Sequence, residues 1–355
     1  MTHRIVRTLA VTLLLGIAMA IGSVLPAQAQ AAAQVIKLAT LVPEGSVWDK
    51  GLRDMGSQWT SSTQGRVTLR VYPGGIAGDE PDLVRKMRIG QLQAAAITTG
   101  GLASIDQSFQ LFNIPMFFDS YPELDAVLAK LTPILKARLE AKGFMLLSWG
   151  HGGWVYFFTK SPVKNVEELK KTKMFAWAGD QPMIDRWKAN GFQPVPLAAT
   201  DILTGLQTGM IDSYPTTPLL GLTLQWYKQT PNMVGLGLAP LVGGLVISKA
   251  AWNKLSEGDR AKVAAGCTRL EMRLHADVPK QDTTAIARCR SAASRSSLFR
   301  PPTLPSSGRP RRRLPARCAA ARSRPRSSTS RRASVTPIAR RTASSVEPVA
   351  RRAPA

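Results

Sequence analysis

The sequence predicts an α/β protein built from two lobes. Strand-like and helix-like stretches alternate over residues 35–282, and they fall into two sets, the second of which begins after Gly152-Gly153. No Pro-rich or Ser-rich linker separates the two sets. Alternating strands and helices are typical of sheets joined by crossover helices. We therefore expect two α/β lobes joined by extended segments, with mixed sheets flanked by helices.

Three strand-like runs and one clear helix make up the first set. Residues 35–39 are an apolar run typical of a buried strand. Residues 66–72 alternate at period two until Pro-Gly-Gly at 73–75 ends the run, and residues 92–97 form a third strand. Apolar residues within 124–135 have the spacing of one buried helix face, which predicts a helix there.

The second set repeats this alternation at closer spacing. It predicts strands at 154–158, 173–177, 193–197 and from 211, and helices at 166–170, 182–190 and 200–209. A return strand at 241–248 and a long amphipathic helix from Trp252 follow. The expected organisation is a signal peptide (1–29), lobe 1 (30–150 plus about 240–250), lobe 2 (151–239), an incomplete hinge-spanning or C-terminal helix (251–287) and an Arg/Pro/Ser-rich disordered tail (288–355).

The N-terminus has the pattern of a cleavable signal peptide. Arg4 and Arg7 precede an apolar run over residues 9–25, and Pro-Ala-Gln-Ala follows at 26–29. A membrane-spanning helix is the alternative, but the run is short for a bilayer. We expect export, cleavage near Ala29 and a periplasmic mature protein.

The C-terminal tail is strongly basic. From Thr283 onward there are 18 Arg and no Lys against one acid, Glu347, so this segment carries +17 of the formal +24. Such a composition predicts disorder. One interpretation is a basic arm for nucleic acid or an anionic surface. The other, which we favour, is translation in a shifted frame, because codons for residues 288–294 can be read one nucleotide earlier as an ordinary helix end. We assign the tail no function and expect no nucleic-acid partner.

The residues give little support to enzymatic chemistry. Past the signal segment the histidines are His151 and His275, and neither lies beside a nucleophile motif. The sequence has no phosphate-binding loop and no Cys/His metal pattern. Cys267 is the one cysteine before the tail, so no disulfide is expected in the body of the chain. We expect no catalytic residue, no metal and no cofactor.

Five blocks in the body of the chain carry a family resemblance. In chain order they are YPGGIAGDEPDLVRKMRIGQLQAA, FQLFNIPMFF, TKSPVKNVEELKKTKMF, ATDILTGLQTGMID and SKAAWNKLSEGDRAKV. Together they resemble the extracytoplasmic solute receptors of TRAP (tripartite ATP-independent periplasmic) transporters, over roughly residues 35–282. The most recognisable signature is Leu206-Gln207-Thr208-Gly209 followed by Ile211-Asp212.

The resemblance implies a fold, a function and partners. The fold would be that of type II periplasmic binding proteins, with a hinge between the lobes. The function would be to close on a small organic solute, in this family mostly a carboxylate, and to deliver it to membrane permease subunits. A periplasmic enzyme or sensor on the same scaffold is the alternative, because a fold does not determine a function.

The sequence departs from the family where the ligand anchor belongs. Phe175 stands where the family's arginine follows Lys-Ile, and the position of a second arginine falls in the uncharged stretch Trp154-Val155-Tyr156. A phenyl ring cannot replace a bidentate guanidinium–carboxylate contact. We therefore expect an aromatic pocket in which Trp154, Tyr156, Phe175, Trp177 and Tyr214 flank a flatter or less charged solute. Alternatively, backbone N–H groups, helix N-termini or a recruited cation meet the charge.

The remaining candidates each have a structural alternative. Asp180 is either the N-cap of the following helix or a ligand contact, and Asp212 either holds a turn or lies at the hinge. Thr217 occupies the stretch where the family often has an Asn-Pro at the ligand. Trp48 either closes the first lobe's side of the cleft or packs in the core, and the same choice applies to Phe175.

Overall fold

The computed structural model describes residues 33–292, and these form two lobes, each built on its own five-stranded mixed sheet. The predicted α/β, two-lobed fold is confirmed. None of the helices in this described part of the chain is long and apolar enough to cross a bilayer. The predicted signal peptide and residues 293–355 of the predicted tail lie outside the described residues.

The first sheet combines N-terminal strands with the return strand. In spatial order its strands are β2 (Val67–Tyr72), β1 (Gln34–Thr40), β3 (Ala94–Thr98), β10 (Pro240–Ser248) and β4 (Phe144–Trp154). β1 is parallel to β2 and to β3, whereas β10 runs antiparallel to both β3 and β4. The chain therefore leaves the first lobe along β4 and re-enters it along β10.

The second sheet lies between these two crossings. Its strands, in spatial order, are β7 (Gln193–Leu197), β6 (Lys173–Trp177), β8 (Ser213–Thr216), β5 (Tyr156–Thr159) and β9 (Asn232–Met233). β6 is parallel to β7 and to β8, and β5 is antiparallel to β8 and to β9.

Helices flank both sheets, and a side chain caps many of their N-termini. Those before β10 are α1 (Val47–Ser62), α2 (Glu80–Arg88), α3 (Thr99–Ala103), α4 (Tyr121–Ala141), α5 (Val166–Lys170), α6 (Gln181–Ala189), α7 (Ile202–Gln207) and α8 (Pro218–Thr223). Short 3₁₀ segments are Gln107–Asn113, Ala199–Asp201 and Trp226–Lys228. Ser46, Asp79 and Ser120 accept hydrogen bonds from the first turns of α1, α2 and α4.

The C-terminal region is two helices rather than the single one expected from Trp252. α9 (Lys249–Asn253) is followed by α10 (Glu257–Ala292), whose first turn is capped by Ser256. α10 packs on α1 and β4 of the first lobe and on α8 of the second. It ends beyond the boundary expected at residue 287, because Cys289 is buried in the core of the second lobe.

Each lobe is stabilised by its own apolar core. In the first lobe, one cluster contains Phe109 and Phe112, and another contains Trp59 against α10. In the second lobe, Phe158 stacks on Tyr214 with ring centroids 5.6 Å apart. Full burial of a phenylalanine side chain such as Phe158 contributes roughly 1.5–3 kcal/mol.

The crossing from β4 to β5 requires a glycine. Gly153 has φ +103°, and a Cβ at this position would lie 2.8 Å from the carboxyl group of Asp282 in α10. The same carboxylate accepts a hydrogen bond from the Trp154 N–H at 2.8 Å. The crossing is thereby tied to α10, the helix that contacts both lobes.

Candidate functional site

A cavity of about 470 Å³ lies between the two lobes. The first lobe contributes residues from the ends of β1 and β3, from β4 and from β10. The second lobe contributes Phe175, Trp226 and residues around the start of α7, namely Ala199, Thr200, Ile202 and Leu203. Leu270 and Leu274 of α10 complete the wall. A cavity lined from both lobes changes shape when the lobes move, which is the geometry of a closing cleft.

The lining carries almost no charge. None of the lining residues, all of which lie in the described part of the chain, is Lys or Arg. The two titratable side chains among them are Glu80 and His151. The cavity therefore offers no guanidinium or ammonium group to a bound anion.

Glu80 is a buried acid at the start of α2. One carboxyl oxygen accepts the Thr98 N–H at 2.7 Å, and the other accepts the Thr98 hydroxyl at 2.6 Å. Burial raises the pKa of Glu80 from 4.5 to about 7, against the lowering effect of these hydrogen bonds. Near neutral pH this cleft residue therefore exists in both protonation states.

His151 lies on β4 with only 4% of its surface exposed. Its carbonyl oxygen accepts the indole N–H of Trp48 at 2.8 Å. Within the described residues, its ring Nδ1 is buried and has no hydrogen-bond partner. Burial and the neighbouring His275 lower the pKa of His151 to about 4, so the imidazole is neutral at physiological pH.

Two of the predicted site residues line the cavity. Phe175, in the middle of β6, faces it while only 9% of its surface is exposed, because the ring also belongs to the second-lobe core. Trp48, in the first turn of α1, lines the opposite side. The structure thus places one predicted ring from each lobe at the cleft, and for Phe175 the core and cleft interpretations both apply.

Trp177 connects the two lobes and is not among the lining residues. Its indole Nε1 donates to Asp79 Oδ2 at 2.7 Å, and the Ala199 N–H donates to the same oxygen at 3.1 Å. Asp79 belongs to the turn before α2, whereas both donors belong to the second lobe. This group of three residues, the Asp79 clasp, holds the lobes together beside the cavity.

Asp180 also bridges the lobes. One carboxyl oxygen caps α6 by accepting the Met183 N–H at 3.1 Å, and the other accepts the Gln110 side-chain amide at 2.9 Å. Gln110 lies in the first lobe's 3₁₀ segment. Asp180 is outside the cavity lining, and its hydrogen bonds give it a structural role.

The other predicted aromatic residues lie away from the cavity lining. Trp154 meets Tyr121 edge-on at 5.5 Å, and Tyr214 is fully buried in the second-lobe core. Tyr156 pairs with Thr216 across β5 and β8 and packs against that core. The structure therefore does not gather the five predicted rings around one pocket.

The two remaining polar candidates occupy turns and caps. Thr217 is fully buried, and its hydroxyl accepts the Leu220 N–H at the start of α8. Asp212 joins strands through its backbone, donating to the Lys173 carbonyl and accepting from the Lys160 N–H. Neither residue is among those that line the cavity.

Glu80 and Trp226 line the cavity but are not in the predicted set. Glu80 directly follows the cap of a helix, where an acid is ordinarily an exposed helix-dipole partner. Its burial depends on Thr98 and on Gly101, where an added Cβ would lie 2.5 Å from the Glu80 carboxyl group. The absence of a side chain at Gly101 is the one sequence signal for this close approach.

Comparison with known proteins identifies the family. The family model for bacterial extracellular solute-binding proteins, family 7 (DctP), matches residues 38–304. The chain belongs to this family. The resemblance drawn from the sequence blocks is thereby confirmed.

Relatives of this family 7 protein include a solute-binding protein of Chromohalobacter salexigens, 26% identical over 224 residues. Another is the 2,3-diketo-L-gulonate-binding periplasmic protein YiaO of Escherichia coli, 26% identical over 199 residues. The alignments cover 60% and 55% of this chain, and 64% and 60% of those proteins, which is less than two thirds of either relative.

Solved structures of TRAP periplasmic solute-binding proteins share the fold of this family 7 chain. The protein from Pseudomonas putida with bound D-glucuronate superimposes with a TM-score of 0.69 at 23% identity, covering 73% of this chain and 86% of that one. A Bordetella pertussis extracytoplasmic receptor that binds pyroglutamic acid gives 0.69 at 19% identity, covering 75% and 87%. At these identities the likeness is one of fold.

Proposed function

We propose that this chain is the solute receptor of a TRAP-type secondary transporter, acting in the periplasm. It binds a small organic solute between its lobes and delivers it to the membrane permease subunits. The observation that carries the proposal is the cavity of about 470 Å³ lined from both lobes, a volume within the range of small-molecule sites. Family membership and the fold support it.

The contacts between the lobes supply a physical basis for closure. The Asp79 clasp and the Asp180–Gln110 hydrogen bond join groups from opposite sides of the cleft. A solute between the lobes adds contacts that exist only when the cleft is closed. Binding therefore shifts the population towards the closed form, and the closed form would be the one that the permease recognises.

The lining supports a proposal for the chemical class of the solute. The solved relatives bind sugar acids such as D-glucuronate and β-D-galacturonate, as well as D-erythronate and pyroglutamic acid. In this chain a phenyl ring stands at the family's arginine position, and no lining residue is a cation. We propose a small solute with at most one carboxylate, held by ring surface from Phe175 and Trp48 and by backbone N–H groups, and not a dicarboxylate.

The test is a ligand screen on the mature chain by thermal shift, followed by calorimetry. The panel contains succinate, malate, D-glucuronate, pyroglutamate and an aromatic monocarboxylate such as phenylacetate. We expect at least one solute with no more than one carboxylate to raise the melting temperature without being consumed. Turnover of the solute would instead indicate an enzyme.

A pair of variants locates the site. Phe175→Leu should weaken binding of the best solute roughly tenfold, since about 1–2 kcal/mol of ring contact is lost. Phe157→Leu is the matched control, because Phe157 is also buried in the second lobe but does not line the cavity. Tight binding of succinate or malate that survives Phe175→Leu unchanged would overturn the assignment of the solute class.

A further inference from the structure

Three side chains with metal-ligating atoms lie close together at the first lobe, where three secondary-structure elements meet. Asp125 comes from α4, His151 from β4 and His275 from α10. One ligand atom from each of the three lies within 4.8 Å of the others. Asp125 Oδ2 is 2.9 Å from His275 Nε2, and the two imidazole rings meet edge-on with centroids 5.0 Å apart.

The cluster combines a fixed group with two adjustable ones. His151 is held by its strand and is nine-tenths buried, and its Nδ1 has no hydrogen-bond partner among the described residues. The side chains of His275 and Asp125 are 53% and 37% exposed, so an ion can approach from solvent. A buried polar atom without a partner is uncommon in a native protein and points to an unaccounted group.

We propose that Asp125, His151 and His275 form a binding site for a divalent first-row transition metal ion, with Zn²⁺ as the best match. Two imidazoles and one carboxylate are a donor set that Zn²⁺ accepts, with water as the fourth ligand. Zinc–ligand distances of about 2.0–2.2 Å require donor atoms roughly 3.3 Å apart. Small side-chain movements of His275 and Asp125 towards His151 achieve this.

The site would connect parts of the fold that matter for closure. α10 packs on β4 and α1 in the first lobe and reaches α8 in the second. An ion held by His275 and by the β4 residue His151 fixes this helix to the first lobe next to the crossing. Because it binds the folded state and not the separated elements, the ion should also stabilise the protein against unfolding. The inference rests on the geometry of the cluster and not on the proposed solute, although His151 also lines the interlobe cavity.

The experiment uses the full mature chain without a histidine tag, stripped with a chelator. Zn²⁺ is titrated by calorimetry, and Co²⁺ is titrated as a spectroscopic probe. We expect one saturable site per chain, a raised melting temperature and the visible absorption of a four-coordinate Co²⁺ ion with nitrogen and oxygen donors. Strong near-ultraviolet charge transfer from a thiolate would assign the metal to a cysteine and overturn the proposal.

Surface variants make the test independent of folding. His275→Gln and Asp125→Asn should each weaken Zn²⁺ binding by at least roughly tenfold. Asp277→Asn is the matched control, because Asp277 is an exposed acid that lies on the same helix and pairs with Arg273. The affinity of this variant for Zn²⁺ should not change. Absence of saturable binding in the parent chain, or equal affinity in His275→Gln, would show that the cluster is only a hydrogen-bonded pair beside a buried imidazole.

Discussion

Glu80→Gln is the substitution that tests the electrostatics of the cleft most cleanly. Glutamine has nearly the same shape, so its carbonyl oxygen can still accept the Thr98 N–H, and its amide can donate to the Thr98 hydroxyl. What changes is that residue 80 can no longer ionise. The pH dependence of stability should change while the packing does not.

The magnitude follows from the shift in pKa. In the folded chain burial raises the pKa of Glu80 to about 7, against an ordinary value of 4.5 for a solvated glutamate. The folded state therefore holds a proton more firmly than the unfolded state, and stability falls as the pH rises between about 4.5 and 7. At 1.36 kcal/mol per pKa unit, ionising the buried Glu80 costs about 3 kcal/mol above this window. Below about pH 4.5 Glu80 is protonated in both states, so this cost is absent.

The assay is urea unfolding of both proteins at pH 5 and pH 8. At pH 5 the two free energies of unfolding should agree within about 1 kcal/mol, and at pH 8 Glu80→Gln should be more stable by about 2–3 kcal/mol. Glu167→Gln is the control, because this side chain is 75% exposed, and it should follow the parent chain at both pH values. A difference between Glu80→Gln and the parent that is the same at pH 5 and pH 8 would refute the reasoning.

The remaining predictions concern the clasp and the two cores. Trp177→Phe keeps a ring but removes the N–H that bonds Asp79. Because a hydrogen bond to a charged group contributes about 1.5–3 kcal/mol, calorimetry should show solute affinity weakened roughly 10–100-fold, and unchanged affinity would remove the clasp from the closing mechanism. Tyr214→Phe deletes the oxygen that accepts from Thr230 at 3.0 Å, and urea unfolding should show a loss of about 1 kcal/mol; a gain in stability would contradict this. Phe144→Ala empties a fully buried site and should cost about 3–5 kcal/mol in the same assay, so a loss below about 1 kcal/mol would show that the first-lobe core is looser than described.

Local pattern predicts much of the fold. The predicted strand at 173–177 matches β6. Its period-two alternation is bounded by a lysine-rich stretch on the N-terminal side and by Gly179 on the C-terminal side. The sequence does not predict most of β4, because the stretch at 148–153 contains several glycines. Its strand conformation depends on pairing with β10 and on packing against α10. The sequence also does not predict that the helix stops between α9 and α10, because the apolar spacing continues across this point.

The site is less accessible to sequence reasoning than the fold. Phe175 was found because one family position carries the wrong residue type, and Trp48 because an aromatic follows the first strand. Trp177 has an equally suggestive position, yet it serves the contact with Asp79. The burial of Glu80 and the meeting of His151 with His275 arise from residues far apart in the chain. Short-range sequence patterns cannot predict such long-range contacts.

A crystal structure with the solute that gives the largest thermal shift would show whether the interlobe cavity is the solute site. We expect electron density for one molecule in this cavity, against the rings of Phe175 and Trp48, with no lysine or arginine side chain in contact with it. A solute bound outside this cavity, or one whose carboxylate faces a fixed guanidinium, would contradict it.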